Sequence, residues 1–512
     1  MKKLVFIFAT AILAVFTQCK KQDSTQENAT TNGIQIVLTA DNGGSRTSFG
    51  VNGSINWNTN EKVFVICNGQ CVGYVTNGTE GGNIFTGTLT GITENGIYDF
   101  HYYYVGNTQT IANEATSFTM NFSNQDGTLA HLGDFHVGYG SQSNVEVILG
   151  ETVNSQARMK SLVSIAYFDL AGMAEVGEMV YFYGDNINNQ MTIDFSTNTP
   201  SYGRVYEEGV NYICAGTVAE DTNSPCYVML LPNHIDGTEE LTTDFTFVSK
   251  RTTGTCNNVF NYGIVGGRFY CQSGDTNMPI AVNVESYDEG ALRGLFGISI
   301  NTQTHFSQGN LKYEASTNSL SFEEEQLSKG DVFCWGTGDD PANNTGDYND
   351  YLAFTDWGIN PIVNGGNVAD MWRTQSETEW EYIFYDRNDA SDKYGTGNVD
   401  GDKGMILLPD NFVLPAGISF NSGMASDPND WTHNSYTQSQ WSLMEAAGAV
   451  FLAHNDAYYD DSYPVFGGCY WSSDAIDDQV ASSLWFDGNL LITNDGSGKI
   501  YGFGVRLTRS IE

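Results

Sequence analysis

The chain has 512 residues, 40% of them hydrophobic and 13% aromatic, enough to bury several cores. Its 61 Asp+Glu against 22 Lys+Arg give a formal net charge of -39. A surface that acidic repels phosphate backbones and excludes nucleic acid as a partner.

The first residues read "MKKLVFIFATAILAVFTQCKK". Lys2 and Lys3 precede an apolar run over 4–17 that is too short to anchor stably across a bilayer. Residues 1–19 are therefore expected to be a secretory signal. Cys19 closes it, and the segment resembles a bacterial lipoprotein signal, in which that cysteine is acylated. Gln18 stands where such signals usually carry a small residue. The resemblance implies an exported protein held at the outer membrane by a lipid anchor. Residues 20–33, "KKQDSTQENATTNG", are polar and read as a flexible tether.

Eight cysteines remain beyond Cys19, an even number in an exported chain, which favours disulfides. Cys67 and Cys71 bracket Asn-Gly-Gln in "VFVICNGQCVGYV", a hairpin signal that would set them opposite each other. Cys214 with Cys226, and Cys256 with Cys271, are local pairs of the same kind.

From about 34 to 283 short runs rich in Val, Ile, Tyr and Phe alternate with Gly/Asn/Asp/Thr clusters, the spacing of β-sandwiches. A break near 150 divides the region into a first sandwich over 34–149 and a second over 150–284. The pair His131 and His136 with Asp134 could ligate a metal, but a surface strand is the expected reading. The pieces "SRTSF" (45–49), "INWNTNEKVFV" (55–65), "FTGTLTG" (85–91), "LVSIAYFDL" (162–170) and "VMLLP" (228–232) resemble fimbrillin-like lipoproteins of Gram-negative anaerobes. The resemblance implies two β-sandwiches and a role as pilus subunit, pilus tip or surface lipoprotein, with fimbrial subunits as partners. Subunits of that family polymerise by donating a C-terminal strand to a neighbour. This chain continues for more than two hundred residues instead, which favours a terminal or stand-alone place.

Residues 285–512 change character. "SETEWEYIFYDR" (376–387) predicts a helix capped by Ser376, with Glu379 in the capping box and Trp380, Ile383 and Phe384 on one face. "YTQSQWSLMEAAGAVF" (436–451) predicts a second, capped by Thr437 and ended by Gly448. The order of "FSQGNLKYEAST", "DWGINPIVNGGN", "MWRTQSETEWEYIF", "GMILLPDNFVLP", "WSLMEAAGAVFL", "YWSS" and "GFGVRL" resembles a C-type-lectin-like domain of surface lipoproteins. The resemblance makes Trp372, Arg373, Glu377, Trp380, Trp441, Trp471 and Arg506 fold-defining. Arg373, Glu377 and Arg506 are expected in a buried ion-pair network rather than at a ligand. The whole chain is thus expected to be mainly β, two sandwiches followed by an α+β lectin-like domain.

The same architecture has formylglycine-generating relatives that use paired cysteines. Cys334 and Cys469 stand where the lectin-like family usually carries other residues, and they are expected to pair with each other. An oxidase would need an accessible, low-pKa thiol in electropositive surroundings, against the acidity of this region. No enzyme and no cofactor is expected. Oxygen-rich loops at 336–351, 398–404 and 493–499 leave a structural Ca²⁺ open.

What remains is a binding face on the irregular loops and last strands. It comprises Tyr458, Tyr459, Asp460, Asp461, Tyr463, Asp474, Asp477, Asp478, Trp485, Asn489, Asn494 and Asp495. Tyr and Trp give rigid contact area and Asn and Asp adaptable hydrogen bonds, as in antibody paratopes. The expected function is a surface adhesin, with a pilus-tip subunit as its specific form, that meets a host or bacterial surface protein or glycan. A structural fimbrial subunit without its own ligand is the alternative.

Overall fold

The computed structural model describes residues 33–41, 48–49, 55–203, 209–219, 224–233, 243–257, 260, 263–272, 275, 277–286, 289–338, 346–455, 457–460, 463–464 and 467–511. The signal segment with Cys19, the tether up to residue 32, and Asp461 lie outside the described residues. The chain is mainly β and builds several sheets.

The largest sheet has eight strands. Ile34–Asp41 lies antiparallel to Ile84–Leu89 on one side and parallel to Val153–Arg158 on the other. Period-two alternation puts Ile34, Ile36, Leu38 and Ala40 into a core with Trp57, Tyr102 and Val145. The opposite face is covered too. Phe64, Ile66 and Tyr103 pack there with Met120, Met191, Ile193 and Met229. Burial on both faces explains why Lys62–Cys67 is an unbroken apolar run after its lysine rather than an alternating one.

The border expected at residue 150 is crossed in both directions. Val153–Arg158 and Lys160–Ser161 join the first sheet, while Ser117–Asn121 pairs with Gln190–Asp194 beyond the border. The sandwiches share a core, so a composition break in the chain does not coincide with a break in packing. The second sandwich sets Ile213–Thr217, Met179–Tyr183, Phe245–Val248, Thr253–Cys256 and Asn283–Ser286 against Ser164–Asp169 and Pro225–Leu230. Phe168, Phe182, Phe245 and Phe247 fill the space between them, edge-on or tilted.

The C-terminal region closes on itself. Leu507–Ser510 is held between Thr302–Phe306 and Arg373–Thr374, and Phe296–Ser299 pairs with the far edge of Thr302–Phe306, so one sheet gathers the first and last strands of the region. The helix Glu377–Glu381 has its capping box: Ser376 Oγ accepts the Glu379 N–H at 3.2 Å, and Glu379 accepts the Ser376 N–H at 2.9 Å. It widens into a π turn over Tyr382–Asp386. The helix Gln438–Ala446 is capped by Thr437 and Gln440 and stops before Gly448, whose φ is +103°. Beyond Gly448 the chain enters the strand Val450–Ala453. Trp372, Trp380, Trp441 and Trp471 are all buried.

Three further expectations are corrected. His131 and His136 flank a short helical turn, Leu132–Phe135, rather than lying on a strand. His136 is fully buried beside Tyr104, and burial lowers its pKa to about 3. Arg373, Glu377 and Arg506 form no common network. Arg373 makes a bidentate pair with Glu379, at 2.6 and 2.7 Å, while Glu377 offers its backbone N–H to Asp474. Arg506 is buried among neutral acceptors, Asn310, Gln326 and the Phe451 carbonyl, and burial pulls its pKa down to about 10.

The four expected disulfides are not formed; Cys67, Cys71, Cys214, Cys226, Cys256, Cys271, Cys334 and Cys469 are free thiols. Asn68 and Gly69 both have positive φ and make the tight hairpin turn, which pairs Cys67 with Gln70 and Cys71 with Ile66. Cys67 then points into the first core and Cys71 into the second, on opposite faces of the sheet. Cys226 donates to the Ala215 carbonyl inside the second sandwich, whereas Cys214 faces outward against Ala446. Cys256 donates to the Ala281 carbonyl, and Cys271 lies just past the strand of the other sheet. Cys334 donates to the Ile500 carbonyl, and the Cys469 N–H is held by Asn455.

The second sandwich and the C-terminal region meet through a charged loop. Lys250 and Arg251, in the turn between Phe245–Val248 and Thr253–Cys256, are 9% and 3% exposed. Both reach the same oxygen of Glu178, at 3.0 and 2.9 Å. Lys250 also reaches Glu325 at 3.6 Å and donates to the Glu324 carbonyl. Desolvation would lower the Lys250 pKa, but Glu178, Glu445 and Glu325 outweigh it and the net shift is upward. Arg293 completes the joint. Its backbone N–H donates to the Lys250 carbonyl and its guanidinium to the Ala446 carbonyl at the helix end.

Candidate functional site

The expected binding residues fall mainly around one three-stranded sheet, Gly468–Ala475, Val480–Phe486 and Leu491–Gly498. Tyr458 and Tyr459 are on the short strand Tyr458–Asp460, which pairs with Tyr463–Pro464. The side chains of Tyr458, Tyr459, Asp460 and Tyr463, and the whole of Asp461, lie outside the described residues.

The structure divides the other seven. Asp474 accepts the Glu377 backbone N–H at 2.7 Å, so it satisfies an orphan donor at the start of the Glu377–Glu381 helix. Asp477 accepts the N–H groups of Gln479 and Val480 at 2.7 and 2.8 Å and shapes the turn before its strand. Asp495 accepts from Ser497 at 3.0 Å, and its carbonyl accepts from Ser483. These three carboxylates are committed to the fold. Asp478 and Asp477 offset the desolvation of buried Lys499, whose ammonium sits 4.3 Å from the Trp335 ring centre.

Asn489 and Asn494 are exposed, and Trp485 is half-buried, opposite Cys469 and Ile492 in the ladder. Asn489 lies in the turn after Val480–Phe486, and Asn494 on the outer face of Leu491–Gly498. Four residues separate Leu490 from Asn494, about 14 Å along a strand. Two apolar neighbours were missed in the sequence: Ile476 and Leu490 are 53% and 48% exposed. Ile476 lies beside Gly496, the next outward position after Asn494. The alternation of Asn494 and Gly496 on an edge strand is the signal the sequence holds for this outward row. Asn489 donates its side-chain amide to the Ser426 carbonyl at 3.4 Å, which leaves Asn494, in the outward row with Gly496 and beside Ile476, as an exposed amide suited to hydrogen bonding with apolar contact.

Catalytic chemistry finds no support in the two C-terminal thiols. Burial pushes the Cys334 thiol up to about 11 and the Cys469 thiol further still, so both stay protonated near neutrality. Of the oxygen-rich loops, residues 339–345 lie outside the described residues, and the other two are engaged in the fold. Asp400 accepts the Gln438 N–H at the start of the second helix, and 493–498 lie within a strand. Among the described residues no group of three or more His, Cys, Asp or Glu is placed to hold a metal ion.

No protein-family model matches the chain, and no curated protein matches it in sequence. Several solved structures are similar over about half of it. A candidate cell adhesion protein from Bacteroides uniformis is 11% identical, covering 50% of this chain and 98% of that one, with a TM-score of 0.32. The tip fimbrial protein Mfa3 of Porphyromonas gingivalis, with C-terminal truncation, is 11% identical over 50% of this chain and 91% of that one, with a TM-score of 0.27. A fimbrial assembly protein of Parabacteroides distasonis is 10% identical over 57% and 98%, with a TM-score of 0.24.

Proposed function

We propose that the chain is a fimbria-associated adhesion protein of the bacterial surface. Two fimbrillin-like sandwiches form the stalk, acylated Cys19 ties it to the outer membrane, and a lectin-like C-terminal domain meets a surface protein or glycan. One observation carries the reading: Leu507–Ser510 is an inner strand of the C-terminal sheet, bonded on both edges. A subunit that donates its last strand needs that strand free. Donating Leu507–Ser510 would open the sheet that closes the domain, so this strand is poorly suited to polymerisation by strand donation.

The structural-subunit reading keeps one supporting observation, since Asp474, Asp477 and Asp495 serve the fold rather than a ligand. An array of glycans and host surface proteins probed with the full chain separates the two. Binding that is lost in Asn494→Ala, with labelled protein confined to fibre ends, is the expected result. No binding, with label along the whole fibre, overturns the adhesin.

A further inference from the structure

A cleft of about 240 Å³ lies where the two sandwiches meet the C-terminal region. Segment 121–124 follows Ser117–Asn121, Tyr181 and 210–212 come from the second sandwich, and Pro415–Ile418 with Gln440 and Leu443 close the far side. One wall is fixed by backbone bonds, from the Val210 N–H to the Leu414 carbonyl and from the Ala416 N–H to the Val210 carbonyl.

Its chemistry sets it apart in a chain of net charge -39. The clefts around Glu178 and Lys250, around Arg373 and Arg509, and around Arg387 and Asp410 all carry formal charges. The described lining here carries none. It offers the amides of Asn121, Asn124, Asn211 and Gln440 and the phenols of Tyr181 and Tyr212. Each amide brings both donors and an acceptor, and each phenol one of each. Several are held in place: Asn121 accepts the Ser123 N–H at 2.7 Å, and Gln440 accepts the Thr437 N–H at 3.0 Å. Burial raises the pKa of both phenols, so they remain neutral donors. Pro415, Ile418 and Leu443 supply an apolar floor.

We propose that this cleft binds one ring of a neutral sugar. Hydroxyl groups both donate and accept, as amides and phenols do, and the C–H face of a pyranose suits an apolar floor. A charged ligand would lose its hydration with no formal charge in the described lining to meet it, since Arg293 and Glu445 act on the phenols from outside that lining. The size fits as well, since sites for drug-sized ligands run from about 300 Å³ upward. This site is separate from the outward row along Leu491–Gly498 and does not depend on it.

The test is saturation-transfer NMR on the full chain with D-glucose, D-galactose, D-mannose and N-acetyl-D-glucosamine, and with N-acetylneuraminic acid as the charged comparison. Transfer to at least one neutral sugar is expected, with a dissociation constant of about millimolar, the range open to so few atoms. Asn124→Ala and Tyr212→Phe should each weaken it about fivefold, the worth of one hydrogen bond. Ile97→Ala, at an exposed position outside both the cleft lining and the adhesin face, should leave it unchanged. Asn124 is exposed, so its variant keeps the test alive if Tyr212→Phe melts early. No transfer from any neutral sugar, a dissociation constant unchanged in both variants, or equal transfer from N-acetylneuraminic acid would overturn the proposal.

Discussion

Glu178 ties together the joint between the second sandwich and the C-terminal region. Its Oε1 serves Arg251 at 2.9 Å and Lys250 at 3.0 Å, and its side chain is only 14% exposed. In Glu178→Gln both cations keep their burial and lose the carboxylate they share. Breaking a buried ion pair by removing one partner costs about 3–5 kcal/mol, because the remaining charge stays desolvated. Arg251 keeps Glu175, which is 47% exposed and therefore a weaker partner, so the lower end of that range applies to it. For a domain of this size each kcal/mol moves the midpoint by roughly 2–4 °C, so a fall of about 6–20 °C is expected. Lys250→Met removes the charge together with its desolvation, leaves the Glu178–Arg251 pair intact, and should cost less. Differential scanning calorimetry of the full chain measures both, in about 0.05 and 0.5 M NaCl. A buried pair is screened little, so the difference should persist at high salt. A Glu178→Gln shift under about 2 °C, or one abolished by salt, would refute the buried joint.

Other consequences are open to simpler assays. Non-reducing peptide mapping should find no Cys67–Cys71 link, and its presence would mean that the hairpin register is wrong. Asp474→Ala removes the acceptor at the Glu377–Glu381 N-terminus and should lower stability in urea by about 1–2 kcal/mol, as losing a cap does, while array binding persists. Loss of binding at unchanged stability would return Asp474 to the ligand face. Glu61 is buried, and desolvation raises its pKa to about 8, against the opposing effect of Asn58 hydrogen bonds. The folded state then holds a proton that the unfolded state releases above its usual value near 4.5. Stability is therefore greatest below that value and falls as pH rises toward 8, by at most about 1.4 kcal/mol per pH unit. Glu61→Gln should flatten urea midpoints across that window, and an unchanged slope would contradict the burial.

Local chemistry made much of this fold legible. Ser376 with Glu379 announces one capping box, Thr437 announces the cap of the other helix, and Asn68-Gly69 announces its turn. What stayed hidden depends on which face a side chain takes after distant strands pair. Cys67 and Cys71 look like hairpin partners until the two-residue turn sets the register that parts them. The border at 150 follows composition, yet Val153–Arg158 is drawn back by Ile34–Asp41, more than a hundred residues earlier. At the candidate face, Asp474 and Asp477 read as ligand groups because their acceptors are visible in the chain and the donors they satisfy are not.

These placements bear on how an adhesin of this build would carry load. A pull applied at Asn494 enters Leu491–Gly498 and leaves the domain near its first strand. The two routes between them differ. Through the chain, load passes Leu507–Ser510, which is antiparallel to Thr302–Phe306 over three residue pairs. Through space, it passes the helix ending at Ala446, the Arg293 guanidinium and the Lys250–Glu178 joint. The second route spares the short ladder, because the helix packs directly on Tyr181 and Val248 of the second sandwich. A hinge at the joint would concentrate strain on those three pairs. Burying two cations and their carboxylates, at a desolvation cost a flexible linker would avoid, is what a stiff joint requires. The charged turn at 249–252 is therefore better understood as bracing between the second sandwich and the C-terminal region than as a binding site of its own.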